Sequence, residues 1–148
     1  MIISFNKPKR LVNKVFIHCS ASDIAKHDNI ETIRDWHLTR KPDPFKEIGY
    51  HYFIDKKGGL FNGRSLEKTP VAQVGFNNKT IAICCSGLQN FTQAQFDTLK
   101  ILCNLINTAY NQNVTFHGHC EVNPDKTCPV FDYKTILNLD STGKIVIK

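Results

Sequence analysis

No apolar run in this chain approaches the roughly 20 residues that a membrane-spanning helix needs. Its start, MIISFNKPKR, holds no export signal, because Lys7, Lys9 and Arg10 interrupt any apolar core there. The chain is therefore expected to be made in the cytoplasm, with no membrane contact of its own. Internal repeats and low-complexity stretches are absent too, which excludes solenoids and disordered linkers. No CxxC or HxxxH pair occurs, so a zinc finger, which needs two close pairs of ligands, is a poor reading. Acidic side chains are in the minority, 13 against 19 Lys and Arg, leaving a net charge of +6 with His neutral. That balance favours polyanionic partners. The charges are scattered, however, and no RNP, finger or helix-turn-helix pattern accompanies them, so nucleic acid is not an expected partner.

The length of 148 residues suits one domain over 1–148 with its own core, about 13–138, and a tail from 139 to 148. Six cysteines invite three disulfides, but a chain this long does not need them and carries no export signal. Cys84 and Cys85 in IAICC, and Cys103 in ILCNL, read as small buried hydrophobes. Cys128 differs, because it precedes a proline in a polar loop.

KVFIHC, 14–19, reads as a strand covered on both faces, with Val15, Ile17 and Cys19 on one side and Phe16 and His18 on the other. His18 lies near its carboxyl end, where open α/β sheets place their sites. A helix follows, with Asp28 and Glu31 spaced as a capping box and Ile30, Ile33, Trp36 and His37 on one stripe; Pro42 and Pro44 end it. GYHYFID, 49–55, reads as a strand, KKGG as a turn, LFNGR as a return strand or loop, and TIAICCS, 80–86, as another buried strand. The clearest helix runs from about 93 to 110. Thr92 and Gln95 form its capping box, Phe91 and Phe96 its staple, and Phe96, Leu99, Leu102, Cys103, Ile106 and Tyr110 its buried stripe. VTFHGH, 114–119, reads as a short strand, 131–138 as a closing helix, and KIVIK as a possible edge strand. Strands alternating with helices imply an α/β fold: a central mixed β-sheet flanked by α-helices.

GHCEVNPDKTCP, 118–129, concentrates the chemistry. A catalytic zinc site needs three protein ligands and an open position. His18 at one strand end, with His119 and Cys128 flanking the turn after another, supplies three if the strands are neighbours. Two neutral imidazoles and one thiolate would leave a Zn²⁺ unit a single positive charge, enough to acidify a water. Spacing leaves two alternatives open. His117 shares a strand face with His119 by alternation, and Cys120 rivals Cys128.

Six motifs then carry a resemblance: VFIHCSAS, IRDWH, GYHYFID, GFNNKTIAICCSG, FTQAQ and GHCEVNPDKTCP, in order. Over roughly 13–138 the chain resembles the zinc-dependent N-acetylmuramoyl-L-alanine amidases. It is most similar to the short bacteriophage lysozymes of the amidase type, whose fold the animal peptidoglycan recognition proteins share. The resemblance implies Zn²⁺ as cofactor, held by His18, His119 and Cys128. Tyr50 of the GYH motif and Lys126 of the K-x-C-P motif are the implied catalytic groups. It implies peptidoglycan as substrate, cut at the amide between N-acetylmuramic acid and L-alanine, by a monomer that reaches the cell wall after release. Two departures accompany it. Ala72 and Gln73 stand where the phage enzymes carry a His near the cleft, and the loop NPDKTC is one residue longer, expected to bulge near Pro124–Asp125. His37 and His51 are expected to be structural or groove residues, and Arg64 a groove or surface residue. A non-catalytic peptidoglycan-binding module on the same fold is the competing reading, motivated by the missing cleft His.

Overall fold

The computed structural model describes residues 2–147. Five strands form one sheet: β1 Lys14–Cys19, β2 Tyr52–Ile54, β3 Leu60–Asn62, β4 Thr80–Cys85 and β5 Thr115–Gly118. Their order across the sheet is β3-β2-β4-β1-β5. β1 runs parallel to both β4 and β5, β2 runs parallel to β4, and only the β2–β3 hairpin is antiparallel. The helices are α1 Ile30–Leu38, α2 Gln93–Ala109 and α3 Tyr133–Leu137. The sheet is mixed and helix-flanked, as the alternation of strands and helices implied.

Pleating distributes the core over two faces. Val15 and Ile17 of β1, Ile81, Ile83 and Cys85 of β4, and Tyr52 and Ile54 of β2 pack with Leu99, Leu102, Cys103 and Ile106 of α2. Phe53 and Cys84, the alternate residues, face the other way and pack with Ile30 and Ile33 of α1 and with Ile48. β2, β4 and β1 are the inner strands, and nearly every residue of β1 and β4 is buried. That burial explains their continuous apolar runs. Cys84, Cys85 and Cys103 are fully buried, and all six cysteines are free thiols.

The ends of α2 follow its sequence signals. The Thr92 side chain accepts from the Gln95 backbone N–H at 3.1 Å, and the Gln95 side chain accepts from the Thr92 N–H at 2.9 Å. The rings of Phe91 and Phe96 lie 6.3 Å apart beside this cap. Three expectations need correction. Asn29, not Asp28, caps α1, accepting from the Glu31 N–H at 2.8 Å. Asp28 instead accepts from the backbone N–H of Lys56 at 3.0 Å. Trp36 leaves the buried stripe of α1 and lies partly exposed, its ring edge-on to His27 at 4.8 Å. KIVIK, whose last residue lies outside the described ones, adds no strand to the sheet over residues 144–147. It forms one antiparallel bridge, Leu139 to Ile145, while the Gly143 carbonyl accepts from the Phe116 N–H on β5 at 2.7 Å.

Candidate active site and metal centre

The parallel pairing of β1 with β5 builds the site. Ile17 pairs with Gly118, so the residues that follow them, His18 in β1 and His119 just after β5, stand side by side. Their rings lie 4.7 Å apart. Alternation along β5 stops at Gly118, because His119 opens a single 3-10 turn, His119–Glu121. That turn separates His119 from its rival. His117 points elsewhere, with Nε2 2.6 Å from the Thr115 hydroxyl and Nδ1 2.9 Å from Glu121. Gly118 is required by close approach: a Cβ there would stand 2.6 Å from the Tyr133 ring and 2.9 Å from Pro129.

The polar loop after the turn returns Cys128 to the same place. Residues 123–126 form a tight turn, with the Lys126 N–H donating to the Asn123 carbonyl at 3.0 Å, where the bulge was expected. The Cys120 N–H then donates to the Cys128 carbonyl at 2.9 Å, and the Cys19 N–H donates to the Cys128 sulfur at 2.9 Å. The ligand atoms of His18, His119 and Cys128 all lie within 4.8 Å of one another. Cys120 stays outside this cluster. One strand end, one turn and one returning loop thus converge on a single point.

The electrostatics suit a metal. His18 is buried, and burial with the neighbouring His119 lowers its pKa to about 3. Burial, helped by the Lys126 cation, also lowers that of His119. Both rings are therefore neutral near pH 7 and keep a lone pair to donate. The Cys128 thiol is raised by its pairing with Cys19 and by burial, so it holds its proton until a cation displaces it. Two imidazoles and one thiol are a borderline-soft donor set of three, which fits Zn²⁺ with a position left for water or substrate.

A cleft of about 260 Å³ opens beside this cluster, lined by His37, Arg40, Tyr50, Ala72, His119 and Lys126 among others. The Tyr50 ring lies between His18, at 5.2 Å, and His37, at 5.3 Å. Burial, then the nearby thiols of Cys84, Cys128 and Cys19, raise its phenol well above the ordinary value. Tyr50 therefore stays protonated. Lys126 is exposed at the rim. His37 lines the cleft and accepts from the Gly49 N–H at 2.8 Å, which sets the start of the GYH segment. Arg64 is no groove residue. Its guanidinium donates to the carbonyls of Ile48, Thr69 and Glu47 and ties loops together. Gln73 is also absent from the cleft; it is fully buried behind His18, and of the pair only Ala72 lines the wall.

The sequence pattern of the N-acetylmuramoyl-L-alanine amidases matches residues 7–131. The chain belongs to that family. The amidase is 31% identical over 136 residues to an endolysin of Enterobacteria phage T3, covering 86% of this chain and 87% of the relative. It is 30% identical to an endolysin of Escherichia phage T7, with the same coverage. Its fold matches the Ph2119 endolysin from a Thermus scotoductus bacteriophage with a TM-score of 0.75, at 20% identity over 90% of this chain and 88% of that one. The amidase LysCS from Clostridium intestinale gives a TM-score of 0.73, at 22% identity over 92% and 91%. The resemblance read from the six motifs therefore stands, in family, fold and enzyme class.

Motif reading passed over Asn77, Thr80 and Arg40 and placed Gln73 at the cleft. Gln73, Asn77 and Thr80 form a polar bracket behind His18, and Arg40 lies over the Phe45 ring, 4.5 Å from its centroid, at the cleft wall. The contacts within the bracket and between Arg40 and Phe45 are local; only the Gln73–His18 contact, 55 residues apart, joins distant parts of the chain.

Proposed function

We propose that this amidase is a zinc hydrolase. It cuts the amide between N-acetylmuramic acid and L-alanine in peptidoglycan, using His18, His119 and Cys128 as metal ligands and Tyr50 and Lys126 as catalytic groups. The observation that carries this reading is the convergence of two histidines and a cysteine within 4.8 Å beside the cleft that also holds Tyr50 and Lys126. Zinc, when bound, supplies a Lewis acid that polarises the scissile carbonyl and makes water nucleophilic near neutral pH.

The protein's own groups do the rest. Lys126, a flexible cation on the loop that carries Cys128, stabilises negative charge as it builds on the carbonyl oxygen. Tyr50, kept protonated by burial, offers a hydroxyl to the leaving amine or to the attacking water. His18 and His119 stay neutral and hold their ligating nitrogens free of protons. Arg40 and Lys126 make the cleft cationic, which suits the carboxylates of a stem peptide. Among the described residues no helix is long and apolar enough to cross a membrane. The enzyme's place of action is the cell wall, as with the phage endolysins it is similar to.

The test is incubation of zinc-loaded protein with purified muropeptides, followed by mass spectrometry. Glycan ending in free N-acetylmuramic acid, with a stem peptide bearing a free L-alanine amine, is expected, and a chelator should stop both. Intact muropeptides that nevertheless bind the protein would point to the binding-module reading instead.

A further inference from the structure

The ring nitrogen Nε2 of His18 lies 2.8 Å from the side-chain oxygen Oε1 of Gln73, and both side chains are buried. We infer that Gln73 is a positioning residue that locks His18 into one tautomer, with the proton on Nε2 and the lone pair on Nδ1, making Nδ1 the ligating atom. The inference rests on the metal-site reading and adds to it the group that orients its most buried ligand.

Proton accounting around Gln73 supports the assignment. The Thr80 hydroxyl lies 2.7 Å from the Asn77 carbonyl, which can only accept, so Thr80 spends its one proton there. The Thr80 oxygen must then accept from its other neighbour, the Gln73 amide, at 2.8 Å. The second amide hydrogen of Gln73 points to the Phe76 carbonyl at 3.3 Å. Both contacts demand the nitrogen end of the amide, so the oxygen end faces His18. An oxygen can only accept, so Nε2 must carry the hydrogen. A flipped amide would set its oxygen against two acceptors at once.

The bracket is itself held in place. The Asn77 side-chain oxygen accepts from the backbone N–H groups of Ala72 and Gln73 at 3.0 and 2.9 Å, and the Phe76 N–H donates to the Gln73 carbonyl at 2.9 Å. Thr80 begins β4, the strand paired with β1, at the opposite end of that pairing from His18. The orientation of His18 is thus referred, through Thr80, to the rigid sheet. Partners that fix the second nitrogen of a ligating histidine characteristically change metal affinity about 10–100-fold. Gln73 supplies such a partner without adding charge.

The test uses the whole chain and reads the ring and the metal, not turnover. In the zinc-free wild-type protein, ¹⁵N NMR of the His18 ring should show the Nε2–H tautomer. Gln73→Met keeps the volume but removes the acceptor. It should weaken zinc binding about 10–100-fold in competition with a chelator, while circular dichroism and the melting temperature confirm a folded chain. An Nδ1–H tautomer in the wild type, or unchanged zinc affinity in folded Gln73→Met, overturns the inference. Should Gln73→Met not fold, the wild-type tautomer decides alone. Zinc bound equally by both proteins refutes only the role of Gln73. Failure of the wild type to bind zinc refutes the metal centre and this role with it.

Discussion

The face of the sheet beneath α2 and the opposite face, which carries His18, are both buried, and they are built on opposite principles. Beneath α2 the buried side chains are almost all apolar, from Val15 and Ile83 to Leu99 and Ile106. Across the opposite face the buried set includes His18, His51, Gln73 and Thr80. Apolar burial is non-directional, so many contacts share the load and none is indispensable. Buried polar groups need particular partners, and the loss of one strands another. The first region sets stability, and the second sets what the molecule can do.

Substitutions should separate the two. The largest effect is expected from Cys128→Ser, which removes the soft ligand from the metal set. Turnover of muropeptides should fall by at least ~10²-fold while the melting temperature of the zinc-free protein changes little. Leu102→Ala should do the reverse. Leu102 is fully buried in the α2 face, and its truncation should cost about 2–5 kcal/mol in denaturant unfolding, with zinc affinity unchanged.

Acid sharpens the contrast next. His51 accepts from the Ala82 N–H through Nδ1 at 3.1 Å, so its Nε2 carries the proton and donates to the Lys68 carbonyl at 2.8 Å. Burial lowers its pKa from 6.5 to about 4. A depressed folded pKa means that the unfolded chain takes up the proton first. This contribution is therefore complete above pH 6.5 and is lost as pH falls towards 4. Roughly 3 kcal/mol of stability should disappear across that window, and His51→Gln should flatten the decline in pH-dependent melting. Tyr50→Phe and Lys126→Ala should each lower kcat on the order of 10²-fold with the fold intact. The smallest effect belongs to Thr92→Ala, expected to cost about 1 kcal/mol through loss of the α2 cap and to leave the chemistry untouched.

The same contrast explains what could be read from the sequence. Strands β1 and β4 and helix α2 were legible because burial on a regular element repeats with the element's own period. Thr92 and Gln95 were legible because a cap is local. Asn29 was missed in favour of Asp28 because adjacent residues of the same capping chemistry differ only in backbone register. Spacing left His117 and His119 unresolved, since alternation holds only while the strand lasts and the chain turns at Gly118. Recognition of the family motifs selected His119, and the 3-10 turn gives the physical reason. Gln73 and Arg64 were misjudged because their partners, His18 and the carbonyls of residues 47, 48 and 69, come together only in the folded chain. The motifs marked the groups that gather at the cleft, whereas the contact of Gln73 with His18 behind them forms only in the folded chain.

X-ray absorption at the zinc edge tests the central claim most directly. The account predicts one equivalent of zinc with a single sulfur neighbour at ~2.3 Å and nitrogen or oxygen neighbours at ~2.0–2.1 Å, the sulfur vanishing in Cys128→Ser. A shell without sulfur in the wild type, or a sulfur signal that survives the substitution, would contradict it.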